Sequence, residues 1–166
     1  MNATRSFSIL PAQRAHVSAI HEMVRELAQY EKLEHLMRGT AKELELELFC
    51  EQPLIEAVIA LVGETPAAFA LYFHNYSTFL ARKGLYLEDI YVKPAYRRQG
   101  IGRALLIHLA RLAVARGCGR FEWSVLDWNE SAIRFYQGLG ASVMPDWRIV
   151  RVTGDALETL AKSKVA

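Results

Sequence analysis

The stretch that decides the fold is LYLEDIYVKPAYRRQGIGRALLIHLARLAVAR, Leu85 to Arg116. Its first part, Leu85 to Val92, is rich in the β-favouring residues Tyr, Ile and Val and reads as a strand. Two carboxylates, Glu88 and Asp89, lie inside that strand, where a charge is costly unless paired or used. Pro94 ends the strand because it has no N–H to donate to a ladder. Arg97-Arg98-Gln99-Gly100-Ile101-Gly102 then opens a helix whose apolar residues Leu105, Leu109 and Leu112 recur at helical spacing. Glycines at a helix start let backbone N–H groups approach an anion, and the positive end of the helix favours it. Arg97, Arg98 and Arg103 add positive charge there. His108 lies next to the apolar stripe, has no partner at ligand spacing, and reads as structural.

Such a cradle suits a diphosphate, and spacing narrows the choice. A Walker loop needs Lys-Ser or Lys-Thr after its second glycine, and none follows Gly102. A dinucleotide fingerprint needs a third glycine where Leu105 stands. Arg97-x-x-Gly100-x-Gly102 after a strand instead resembles the acyl-CoA pyrophosphate loop of the GNAT superfamily of N-acetyltransferases.

Working outward, 166 residues suit one domain, 1–166, that buries about two thirds of its unfolded surface. A net charge of +2, dispersed along the chain, argues against a nucleic-acid partner. No apolar run reaches the roughly 18 residues of a membrane span, and MNATRSFSIL lacks the apolar core of a signal peptide. Cys50 and Cys118 offer neither a disulfide framework nor metal spacing. A cytoplasmic protein with no metal and no membrane partner is the expectation.

Taken in order, the chain predicts a strand over Ser6–Leu10 closed by Pro11, and a helix over about Gln13–Leu33. Glu31 and Glu34 fall at or past the end of that helix, which the macrodipole disfavours. They read either as a solvated turn or as an acidic wall for a cationic substrate. Thr40-Ala41-Lys42-Glu43 is a capping box for a second, short helix. Strands follow over Leu54–Val62 and Ala67–His74 around the turn Gly63–Pro66, then a loop over Asn75–Lys83. Gly117-Cys118-Gly119 closes the central helix. Beyond it come a strand over Phe121–Val125, a helix to about Leu139 capped by Asn129, a last strand over Trp147–Val152, and a short helix starting near Thr153 or Asp155.

This order is the GNAT order, and it implies an α/β (α+β) fold with a mixed, mostly antiparallel sheet of six to seven strands flanked by helices. Within the superfamily, Tyr30-Glu31, Tyr86-Leu87-Glu88-Asp89-Ile90-Tyr91-Val92, Tyr96-Arg97, Gly100-Ile101-Gly102, Leu126-Asp127-Trp128-Asn129-Glu130, Phe135-Tyr136 and Leu139-Gly140-Ala141 resemble the diamine acetyltransferases. That family includes spermidine/spermine and thialysine N-acetyltransferases. The resemblance implies acetyl-CoA as cosubstrate, a small-molecule amine as acceptor, and a homodimer to which Trp147 and the last strand could contribute.

It also implies roles for residues. Glu88 matches the base, acting through water, and Tyr136 matches the acid. Their plainer readings are a salt-bridged strand carboxylate and a packed core tyrosine. Ile90 and Val92 would offer strand amides to the pantetheine arm. Arg97, Arg98, Gly100, Gly102 and Arg103 would hold the phosphates, and Asn129 would contact CoA, a role compatible with a helix cap. Glu31 and Asp89 would face the cationic acceptor. On a regular strand Glu88 and Asp89 point to opposite faces; the resemblance implies a bulge that splays the central strand from its neighbour. Two departures stand out. Tyr76-Ser77-Thr78 replaces an acidic residue of polyamine-acetylating members and leans toward the thialysine type, and Arg98 stands where many members have glycine. A protein-lysine acetyltransferase, a non-catalytic acyl-CoA-binding module and a covalent route through Cys118 are the alternatives.

Overall fold

The computed structural model describes residues 6–163 and divides into two compact units, Met1–Ser124 and Val125–Ala166. The first unit is a five-stranded sheet in sequence order, with β1 (Phe7–Pro11), β2 (Glu56–Val62), β3 (Thr65–Ser77) and β4 (Arg82–Val92) antiparallel. The fifth strand, β5 (Phe121–Trp123), joins β4 in parallel. A parallel pair needs a crossover, and α3 (Ile101–Ala115) supplies it.

The strands alternate between two buried faces. Ile59, Phe69, Leu71 and Tyr91 pack with Val17, Ile20 and Met23 of α1 (Val17–Tyr30) and Leu48 of α2 (Ala41–Phe49). Residues on the other face, including Val58, Ala68, Ala70, Leu85 and Leu87, are equally buried. On that side α3 packs against β3 and β4, burying Ile101, Leu105 and Leu109.

Several expected boundaries move. The expected loop over Asn75–Lys83 is mostly strand, because pairing continues through Ser77↔Arg82 and leaves only residues 78–81 to turn. The turn around Gly63 is tighter than expected: Val62 pairs Thr65, so Gly63 (φ +62°) and Glu64 alone connect β2 to β3. The first helix begins with a 3-10 turn at Arg14–His16 and ends at Tyr30, where Leu33 N–H reaches back to Ala28 O. Thr40 and Glu43 form the capping box of α2 as expected, and Gly117 (φ +69°) ends α3.

In the second unit, Asn129 caps α4 (Glu130–Gln137) and Thr153 precedes α5 (Gly154–Ala161). The expected strand over Trp147–Val152 does not form: strand propensity needs a partner ladder, none pairs with it among the described residues, and Val150 is 90% exposed. Among the described residues the sheet therefore has five strands, not six or seven. No helix among the described residues is long and apolar enough to cross a membrane.

Candidate active site

The site is made by one extra residue in β4. Leu71 pairs Asp89 and the next residue, Tyr72, pairs Leu87, so Glu88 has no partner and forms a β-bulge. Before the bulge, Leu85 and Leu87 turn toward the α3 side. After it, Asp89 and Tyr91 turn toward the α1 side, as do their cross-strand neighbours Leu71 and Phe69. The slip in alternation brings Glu88 and Asp89, expected on opposite faces of a regular strand, into one cavity of about 610 Å³. Its sheet wall carries Leu71, Phe73, Glu88 and Asp89, and its helical wall comes from α1, α2 and the segment Met37–Thr40.

Burial raises the Asp89 carboxyl from 3.8 to about 6, and the negative charges of Glu88 and then Glu31 push it the same way. The Glu31 carboxyl is itself raised by burial. Three acidic groups thus share one locality, as an acidic wall requires, whereas Glu34 lies exposed in a 3-10 turn and accepts from Gln29.

The same bulge leaves an edge of β4 open. β5 pairs only with Leu85–Leu87, so among the described residues no strand continues along that edge beyond Leu87. Lys93 N–H donates to Ala67 O of the β3 side. By alternation Val92 and Ile90 direct their polar backbone groups to the open edge. The Val92 carbonyl accepts from Arg97 Nε at 2.9 Å. Arg97 lies across that edge, its guanidinium 5.3 Å from the Tyr30 ring centroid and 5.4 Å from that of Tyr91.

At the start of α3, Gly100 is the N-cap with φ +83°, and Ala104 N–H is the amide that returns to Gly100 O. The amides of Ile101, Gly102 and Arg103 are thereby left without helical acceptors. A Cβ on Gly100 would meet nothing within 4 Å, so glycine is favoured there by dihedral and not by space. Arg98 has φ +61°, which explains why glycine suits this position and what arginine costs there. Arg98 and Arg103 are exposed beside the amides.

Asn129 and Tyr136 belong to the second unit. Asn129 Oδ1 accepts from Ala132 N–H at 3.3 Å, the capping geometry expected for it. Tyr136 is half-buried on α4 with its ring 5.4 Å from that of Phe135. Sequence reasoning missed His21, Arg38 and Glu47, which line the cavity. For Glu47 the available signal was its i,i+4 spacing from Glu43 on one face of α2.

Comparison with known proteins decides the family. The model of the acetyltransferase (GNAT) family matches residues 20–141. This chain belongs to the GNAT family of acetyltransferases. The acetyltransferase is 36% identical to the thialysine N-epsilon-acetyltransferase of Mus musculus over 94% of this chain and 98% of the relative. It is 33% identical to L-ornithine N5-acetyltransferase NATA1 of Arabidopsis thaliana over 97% of this chain and 91% of the relative. Among solved structures, an integron cassette protein from the mobile metagenome of V. cholerae superposes with a TM-score of 0.79 at 26% identity, covering 95% of this chain and 99% of the other.

Proposed function

We propose that this acetyltransferase moves an acetyl group from acetyl-CoA directly to a primary amine of a small cationic acceptor: a thialysine-like amino acid, a diamine or a polyamine. The observation that carries the reading is the bulge at Glu88, which turns two carboxylates into one cavity beside an open strand edge. The names of relatives that match over most of the chain point the same way.

The residues present fit acetyl-CoA. Ile90 and Val92 would offer an unpaired strand edge to the pantetheine arm, beside the Val92 carbonyl that accepts from Arg97. The amides after Gly100, with Gly102, Arg98 and Arg103, receive the phosphates, and Asn129 joins the CoA site. When bound, the cosubstrate supplies an acetyl group activated as a thioester.

A Lys-like ammonium has a pKa of about 10.4 and must lose a proton before it can attack. Glu88 takes that proton through water. Tyr136 offers a phenolic proton to the departing sulfur, which must leave as a thiol. Asp89 and Glu31 attract the cationic acceptor without touching the bond that breaks. Both units act as one catalytic domain, a reading supported by the family match that runs from residue 20 to 141. In a cytoplasmic homodimer, Trp147, 73% exposed, would be covered by the second copy.

The test is free-thiol release from acetyl-CoA against thialysine, lysine, ornithine, spermidine, putrescine and a lysine peptide. Turnover of the small amines is expected. Turnover of the peptide alone would mark a protein-lysine acetyltransferase, and binding without turnover a regulatory module.

A further inference from the structure

The helical wall of the cavity has a charge pattern that the acetyl-transfer reading does not use. Its lining residues include one arginine, Arg38, and two glutamates, Glu43 and Glu47, all with exposed side chains. Glu43 is occupied: its Oε2 accepts from Thr40 N–H and Thr40 Oγ1, both at 2.8 Å, and those bonds hold its carboxyl below the usual range. Neither Arg38 nor the Glu47 carboxylate makes an ion pair or side-chain hydrogen bond among the described residues.

Arg38 also sits on an anchored segment. Met37 N–H donates to Glu34 O at 3.0 Å, the His21 ring bonds Gly39 O at 3.0 Å, and the capping box holds Thr40. Between this wall and the carboxylates of the sheet, the lining is apolar, with Val24, Leu44, Ile55 and Leu71. A diamine or polyamine presents only cations, and a guanidinium in its pocket repels it. An α-amino acid presents a carboxylate and an ammonium on one carbon, then an aliphatic arm, then a second ammonium. Arg matches carboxylate geometry in a bidentate fork.

We propose that Arg38 and Glu47 hold the α-carboxylate and α-ammonium of a free amino acid whose side-chain amine reaches Glu88 and Asp89. Arg38 is then the residue that selects amino acids over diamines. The inference rests on the small-amine reading of the site above.

The experiment compares thialysine with bis(2-aminoethyl) sulfide, the same molecule without its carboxylate, and ornithine with putrescine. Wild type, Arg38→Gln and Glu47→Gln are compared by turnover and by calorimetric titration. Loss of one charge-assisted contact corresponds to about 10- to 100-fold. Arg38→Gln is expected to raise KM and Kd for the amino acids by that factor, leave their kcat in place, and leave the diamine constants unchanged or lower them. Glu47→Gln weakens both types. A wild type that prefers the diamines, or an Arg38→Gln variant that leaves the amino acids untouched or weakens both acceptors alike, overturns the assignment. If none of these amines is acetylated, the small-amine reading fails. Calorimetry then still decides Arg38: thialysine binding lost in Arg38→Gln supports it, and binding that is absent or unchanged overturns it.

Discussion

Replacing Asp89 with Asn tests the local electrostatics of the site directly. In the folded chain the Asp89 carboxyl titrates near 6 and in the unfolded chain near 3.8. A carboxyl with a raised pKa binds its proton more tightly in the folded state, so it costs nothing below the unfolded value, where it is neutral in both states, and costs stability as pH rises toward the folded value. Linkage puts the cost near 1 kcal/mol at pH 4.5 and about 3 kcal/mol at pH 7.5, where it has levelled off. Asn carries no such charge. Asp89→Asn should therefore gain about 2 kcal/mol relative to wild type between pH 4.5 and pH 7.5, whatever constant offset its amide adds. Urea denaturation of both proteins at four pH values across that window measures it. Because burial is the largest cause of the shift, moderate salt should leave most of the gain. Stability curves that run parallel across the window would refute the reasoning.

Other consequences are simpler. A cationic acceptor favours the Asp89 carboxylate, so acceptor affinity should rise as pH passes upward through about 6, as titration calorimetry in two buffers would show; the rise should vanish in Asp89→Asn. Glu88→Gln, at an exposed bulge position, should fold normally and lose at least about 100-fold in kcat, the usual worth of a general base; unchanged turnover would remove Glu88 as the base. Gly100→Ala should cost about 1–2 kcal/mol through its φ of +83° and weaken CoA binding, both readable by thermal melts with and without CoA. Thr40→Ala should cost about 1 kcal/mol by opening the capping box of α2, measured by urea midpoint.

Much of the fold was legible because its signals are local. Periodicity marked α1 and α3, Pro94 and Gly100 marked the strand-to-helix junction, and Thr40 with Glu43 marked the start of α2. The segment Trp147–Val152 shows the limit of such signals: its β-branched residues suit a strand, but a strand exists only where another offers hydrogen bonds. The β3–β4 hairpin shows it from the other side, since Asn75–Ser77 looked like loop and became strand through pairing with Arg82–Gly84.

By itself the sequence determined most of the elements, which glycine starts α3, and which acidic and basic residues were available to a site. The family resemblance implied a bulge in the central strand, but only the tertiary structure decided that it falls at Glu88 and brings Glu88 and Asp89 into one cavity, because the position of a bulge is a relation of register between two strands. It also decided that Arg97 lies across the open edge of β4 against Tyr30 and Tyr91, and that Arg38 and Glu47 face the same cavity as the catalytic candidates. Those residues stand far apart along the chain, and packing α1 and α2 over the sheet is what brings their charges within reach of one another.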